Sequence, residues 1–222
     1  MMTMSPSTRH FDRTAAGQAL AHDLSHFAAQ HPLVLGIPRG GVIVAAEIAR
    51  ALGADLDICV ARKLRAPGAP ELAIGAMTSD GARILNDDII AALMVTGDWI
   101  AAETKLEHEE SLRQERELRG GRPAMAVAGR VVVLVDDGLA TGATLRAAVR
   151  SLRARGAGRI IVAVPVAAEE PFRLLHREAD EVFCPSVLHD FGSVGAHYAH
   201  FGPVDNSEVA ALLAGVSRPV HP

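Results

Sequence analysis

The chain has 222 residues, 49% of them hydrophobic, and a formal net charge of −4. That is enough apolar material to bury a core in one domain, or one domain with a small appendage, without disulfides or metals. The slight acid excess argues against a nucleic-acid binder, which carries a basic face, and no window approaches the roughly 18 uncharged apolar residues of a membrane span.

Residues 1–10 are polar and hold no apolar signal core, so a disordered tail and a soluble, cytoplasmic protein are expected. A second disordered tail is expected over residues 215–222, leaving one domain over 11–214. Asp12–Gln30 places Ala16, Leu20, Leu24 and Phe27 on one stripe and predicts an amphipathic helix. PLVLGIP then reads as a short strand running into Arg39-Gly40-Gly41, and GVIVAAEIARALG as a helix stopping at Gly53. DLDICVARKL predicts the next strand. A Pro/Gly-rich stretch, Arg65 to Pro70, breaks the chain, and AIGAMTSDGARILN predicts a hairpin turning at Asp80-Gly81.

Asn86–Gly120 reads as helical and increasingly charged. Glu109 with Arg113, and Glu115 with Arg119, are spaced for i,i+4 pairing, which reads as a solvated face. Strand and helix then alternate through VVVLVDD, TLRAAVRSLRARG, RIIVAVPVA, PFRLLHREA and EVFCPSV. A last helix, Asn206–Ala214, takes its caps from Asp205 and Asn206. Cys59 and Cys184 lie in apolar runs and read as buried thiols. His22/His26 and His197/His200 lack a third ligand at metal spacing and read as surface histidines.

Strands without polar alternation are buried on both faces, and strands separated by helices pair in parallel. The fold class expected is α/β, a doubly wound and mostly parallel sheet flanked by helices. Such sheets bind ligands beyond the carboxyl ends of their strands. Three places qualify, after Ile37, Val60 and Val135.

The third is the most informative. Asp136 and Asp137 stand at a strand end, followed by Gly138, Leu139, Ala140, Thr141, Gly142, Ala143 and Thr144 leading into a helix. Small residues let N–H groups face inward, the helix N-terminus adds positive potential, and two threonines add hydroxyl donors, which together suit a phosphomonoester. Two acids beside such a cradle make sense for a ligand carrying vicinal hydroxyls next to its phosphate. A bare Asp-Asp-Gly would be only a turn and a cap; its continuation into LATGATL favours function. No Walker lysine loop occurs.

The same segment resembles the phosphoribosyl pyrophosphate (PRPP) motif of type I phosphoribosyltransferases. GIPRGGV, ARKL, PELAIGAM, FGSVGAHY and DNSEVAALL are similar to bacterial phosphoribosyltransferase-like proteins of unassigned acceptor, over about residues 11–214. Ala143 departs from the Gly of many members but keeps the loop small.

The resemblance implies a magnesium-dependent transfer from PRPP to a base or amine, with pyrophosphate released. It implies that Arg39, Gly40 and Gly41 form the pyrophosphate loop, with a cis peptide between Arg39 and Gly40. Arg62 and Lys63 would contact pyrophosphate, and Arg65–Glu71 would form a mobile lid in which Glu71 meets substrate or magnesium. Asp136 and Asp137 would fix the ribose and reach magnesium through water, with Asp137 at the position linked to proton transfer. Arg39 and Lys63 would assist the leaving group. An N- and C-terminal hood with Phe11, Asp12, Arg13, Phe191 and Tyr198 would receive the acceptor; Phe11 and Phe191 read more simply as packing, and Tyr198 as the best contact. A homodimer follows from the resemblance alone. The alternative is a non-catalytic PRPP- or nucleotide-binding regulator; a hydrolase lacks a nucleophile motif.

Overall fold

The computed structural model describes residues 9–216. Of the two expected tails, residues 1–8 and 217–222 lie outside the described residues. His10 pairs with the chain near Tyr198, its N–H donating to His197 O at 3.0 Å.

Helix α1, Arg13–Asp23, is capped by Asp12, whose Oδ1 accepts the Ala15 N–H at 2.8 Å. The helix expected through Gln30 tightens into a 3-10 turn over Ser25–Gln30, a winding that still buries Leu24 and Phe27. Strand β1 (Leu33–Gly36), helix α2 (Gly40–Leu52) and strand β2 (Asp55–Ile58) follow. Gly53, at φ 59°, ends α2 in the left-handed conformation that glycine adopts without penalty.

DLDICVARKL is two strands, not one. Cys59 N–H makes its bond to Gly36 O, the last residue of β1, so the ladder runs out there. The chain leaves the sheet as β3 (Ala61–Ala66), which pairs antiparallel with β4 (Ala69–Thr78), itself paired with β5 (Arg83–Leu85). The Pro/Gly stretch is the turn between β3 and β4, with Gly68 at φ 73°. The hairpin at Asp80-Gly81 forms as expected, between β4 and β5.

The long helical stretch divides at Met94, φ 51°, into α3 (Asp87–Ala92) and α4 (Gly97–Arg119). Each has its own N-cap, Asn86 and Thr96. Then come β6 (Val131–Val135), α5 (Ala143–Ala154), β7 (Arg159–Ala163), β8 (Val166–Ala168), α6 (Glu169–Leu175), β9 (Glu181–Phe183), β10 (Ser186–Leu188) and α7 (Asn206–Val216).

The main sheet is parallel, in the order β2-β1-β6-β7-β9. Its alternation sorts the core into two layers. Val34, Val133 and Val135 pack with α1, α2 and α7 on one face. Leu33, Leu35, Val132 and Leu134 pack with α5 on the other. Both faces being covered explains why β6 reads as an unbroken aliphatic run. A separate cluster of Leu64, Ile74, Met77 and Val95 holds the antiparallel hairpins to the α3–α4 segment.

Candidate active site

Gly36 of β1 lies beside Val135 of β6, so the segments leaving these strands emerge together at one sheet edge. Two glycines set how closely they approach. A Cβ on Gly41 would lie 2.8 Å from Asp136 Cα and 2.8 Å from Val135 O. A Cβ on Gly40 would lie 2.0 Å from Asp137 Oδ2 and 2.6 Å from Arg13 Nε. Any larger residue at either position displaces the acids.

The cis peptide joins Pro38 to Arg39, one residue before the expected place. The Arg39–Gly40 peptide is already the first of α2, with Arg39 O accepting the Val42 N–H at 3.1 Å, and helical peptides are trans.

A cavity of about 520 Å³ opens over this edge. It is lined by Pro38, Arg39 and Gly40 on one side, Asp136, Asp137 and Thr144 on another, and Arg62 and Lys63 from β3. The far wall comes from α4 and α7, through Arg113, Gln114, Glu117 and Asn206. Those four were not foreseen. In the sequence Arg113 and Glu117 resemble an ordinary surface pair, and only the packing of α4 across β3 brings them to the cavity.

The two acids differ in their surroundings. Burial, and next the neighbouring Asp137, push the Asp136 carboxyl well above the usual range. Its Oδ1 accepts the Asp137 N–H at 2.8 Å. Asp137 Oδ2 instead accepts Arg13 Nε at 2.7 Å, and its main-chain carbonyl accepts the Tyr198 hydroxyl at 2.5 Å.

The expected hood residues make contacts within the domain. Tyr198 is 1% exposed, and burial drives its hydroxyl above its ordinary range. Arg13 stacks 3.8 Å from the Phe201 ring centroid and donates through Nη1 to Gly202 O. Phe191 is buried against His197, while Phe11 is exposed and meets His200 edge-on. Asp12 serves as the α1 cap.

The residues of the expected cradle lie in different surroundings. Leu139 donates its N–H to Val166 O, accepts from Ala168, and buries its side chain, so it belongs to the small sheet of β8 and β10. Gly138 is pressed against Val194. Gly142, at φ 75°, opens α5, leaving the first-turn amides of Ala143 and Thr144 at the helix N-terminus. Thr144 lines the main cavity. Thr141 and Ala143 line an adjoining hollow of about 570 Å³ under the hairpin, with Glu71 and Arg146. Lys63 lines both spaces. Ala140 and Thr141 are exposed.

Arg62 is pinned from behind. Its Nε donates to Glu107, and Arg65 pairs with the same carboxylate. The Arg65 N–H donates to Glu103 at 2.9 Å, and Trp99 Nε1 donates to Arg65 O at 3.0 Å. Glu103 and Glu107 are thus buried on the inner face of α4. Of the two pairs expected on a solvated face, Arg113 is exposed but pairs with Glu110 rather than Glu109, and Glu115 pairs with Arg119, which is buried. Arg39 and Lys63 line the cavity and have no ion-pair partner among the described residues.

Cys59 and Cys184 are free thiols, both pushed up to about 12, chiefly by burial. Among the described residues no three of His, Cys, Asp and Glu converge as a metal-binding set, and no helix is long and apolar enough to cross a membrane.

The sequence matches the family model described as the phosphoribosyl transferase domain over residues 13–200. The chain belongs to the phosphoribosyl transferase domain family. This phosphoribosyl transferase domain is 41% identical over 207 residues to "Putative phosphoribosyl transferase MT0597" and to "Putative phosphoribosyl transferase Rv0571c", from two strains of Mycobacterium tuberculosis. Those matches cover 93% of this chain and 47% of each relative, so the chain spans about half the length of the curated relatives it matches. Among solved structures the domain is similar to TT1426 from Thermus thermophilus, at 40% identity and a TM-score of 0.79. That match covers 95% of this chain and 100% of TT1426, and the two share the α/β architecture with a mostly parallel sheet. The matched family segment runs from Arg13 through the acids and the cradle to His200, and so includes every residue that meets at the sheet edge except Phe201, Gly202 and Asn206.

Proposed function

We propose that this domain binds PRPP with magnesium and transfers its phosphoribosyl group to a nitrogen of a base or amine, releasing pyrophosphate. The observation that carries the reading is the meeting, at one sheet edge, of two carboxylates, a helix N-terminus and a glycine loop flanked by unpaired cations. A 5′-phosphate suits the first turn of α5, where free amides and the helix dipole favour an anion. The ribose hydroxyls suit Asp136 and Asp137. The pyrophosphate suits the loop Pro38–Gly41, with Arg39 and Lys63 facing it.

In the transfer, the bond from C1′ to the pyrophosphate oxygen breaks and a bond from C1′ to the acceptor nitrogen forms. Positive charge grows on the sugar and negative charge on the leaving group. The two acids favour the first, and Arg39, Lys63 and the loop amides favour the second. Asp137 is our candidate for receiving the proton that the acceptor nitrogen loses.

Magnesium fits the donor set in one way. Asp136 is partly buried beside a second acid and has no cation within ion-pair distance among the described residues, so a bound cation would relieve that repulsion. With no three-ligand protein set, Asp136 and Asp137 would reach the ion through water. Bound magnesium supplies charge neutralisation for the leaving pyrophosphate. We also take the domain to work as a homodimer in the cytoplasm, a point for light scattering and fractionation.

One observation favours a second reading, a PRPP- or nucleotide-binding regulator. Arg13 and Tyr198, two hood candidates for the acceptor, are both spent on Asp137. Pyrophosphate release from PRPP and magnesium, across a panel of purines, pyrimidines and small amines, separates the two. Release that depends on one acceptor supports transfer. Binding without release under every acceptor favours the regulator.

A further inference from the structure

We propose that Arg13 is a positioning residue that locks Asp137 in the orientation needed to receive the ribose hydroxyls, rather than a contact for the acceptor. The inference rests on the PRPP reading above. Arg13 opens α1, 124 positions before Asp137, yet its Nε donates to Asp137 Oδ2 at 2.7 Å with both side chains nearly buried. Nη1 is spent on Gly202 O at 2.9 Å, and the guanidinium face is covered by Phe201. Arg13 is not among the residues lining the cavity, whereas Asp137 is. Asp137 Oδ1 has no protein partner among the described residues.

Two neighbouring carboxylates repel, so each would turn away from the other without a counter-charge. Arg13 makes its direct ion pair with Asp137, whereas at Asp136 it and Lys63 act only through longer-range attraction. Gly40 leaves the space the pair occupies: its missing Cβ would fall 2.6 Å from Arg13 Nε. The Tyr198 hydroxyl fixes the same residue through its main chain. Asp137 is thereby held at side chain and backbone by segments from opposite ends of the domain. A guanidinium fixed by a second acceptor and an aromatic face is rigid, and a rigid partner transmits orientation.

The test is a double-mutant cycle read by calorimetric titration with ribose 5-phosphate, and with 2-deoxyribose 5-phosphate as the probe lacking one hydroxyl. The proteins are wild type, Arg13→Gln, Arg13→Lys, Asp137→Asn and the Arg13→Gln/Asp137→Asn double variant, each checked for folding by circular dichroism. Arg13→Gln is expected to weaken ribose 5-phosphate about tenfold, or ~1.4 kcal/mol, and Arg13→Lys to recover most of that. In the Asp137→Asn background the Gln change is expected to cost less than about twofold, because coupled residues are not additive. The loss is expected to shrink with the deoxy sugar. A folded Arg13→Gln protein with wild-type affinity overturns the proposal. So does a full tenfold loss that persists in the Asp137→Asn background, which would make Arg13 a direct ligand contact. If wild type binds neither sugar phosphate, the cycle is read with PRPP and magnesium instead, and a wild type that binds none of the three ends the PRPP reading and this inference with it.

Discussion

Glu107, 2% exposed at its side chain, receives both Arg62 and Arg65, and so fastens the β3–β4 hairpin to α4 behind the cavity. Arg65, the first residue of the stretch expected to be a lid, is therefore held against α4, while the rest of that stretch is the turn and the start of β4. A hydrogen bond to a charged group is worth about 1.5–3 kcal/mol, whereas an exposed ion pair contributes little. Glu107→Gln is accordingly expected to cost about 2–3 kcal/mol in urea unfolding and to speed hydrogen exchange over residues 61–78 more than over β6. Glu110→Gln, which breaks the exposed pair with Arg113, serves as the comparison and is expected to leave the melting temperature unchanged. Equal effects from the two substitutions would contradict the anchoring role.

Gly40 tests the close packing of the two loops. A methyl group there must displace Asp137 Oδ2 from 2.0 Å, and the carboxyl carbon is no further than 2.8 Å, so rotation of the acid alone cannot make room. Overpacking of this kind costs roughly 1–3 kcal/mol. Gly40→Ala is expected to lose sugar-phosphate affinity by more than about tenfold while keeping a cooperative melt. An alanine variant that binds as tightly as wild type would show that the acids do not face the ligand as described.

Asp136 gives a pH dependence whose sign is fixed by its surroundings. Its carboxyl is raised by burial and by Asp137, so the folded protein holds this proton to higher pH than the unfolded chain, whose value is about 3.9. The group's contribution to stability is fully present below about pH 3.9 and lost as pH rises through the folded value. At neutral pH the ligand-free protein either holds this proton or bears an unfavourable charge, and either costs stability relative to the unfolded chain. Asp136→Asn is expected to raise the melting temperature there, at about 2–4 °C per kcal/mol recovered for a domain of this size. The gain should fade toward pH 4. Melts of both proteins from pH 4 to 8 decide it, and a variant less stable than wild type at neutral pH would contradict the assignment.

Much of the site was legible because it is local in sequence. Val131–Val135 can only be a strand buried on both faces, and the acids and cradle that follow are carried by that strand to the sheet edge. The glycines of the Pro38–Gly41 loop follow the same logic. What escaped the sequence depends on contacts between distant segments. Glu103, Glu107 and Ser111 recur at i, i+4 and i+8, so they share a helix face, but their polarity reads as solvent until β3 supplies Arg62 and Arg65 opposite them. DLDICVARKL looks like one strand because nothing in it records that β1 ends at Gly36. Tyr198 offers a hydroxyl in either setting, and only the fold shows that it is spent on Asp137 O.

The central claim, that Asp136 and Asp137 receive PRPP at the end of β6, is tested most directly by titrating PRPP with magnesium into wild type and the Asp136→Asn/Asp137→Asn variant. Wild type is expected to bind, and the folded double variant to bind at least about 100-fold more weakly, a difference of ~2.7 kcal/mol. A folded double variant with unchanged PRPP affinity would contradict the account.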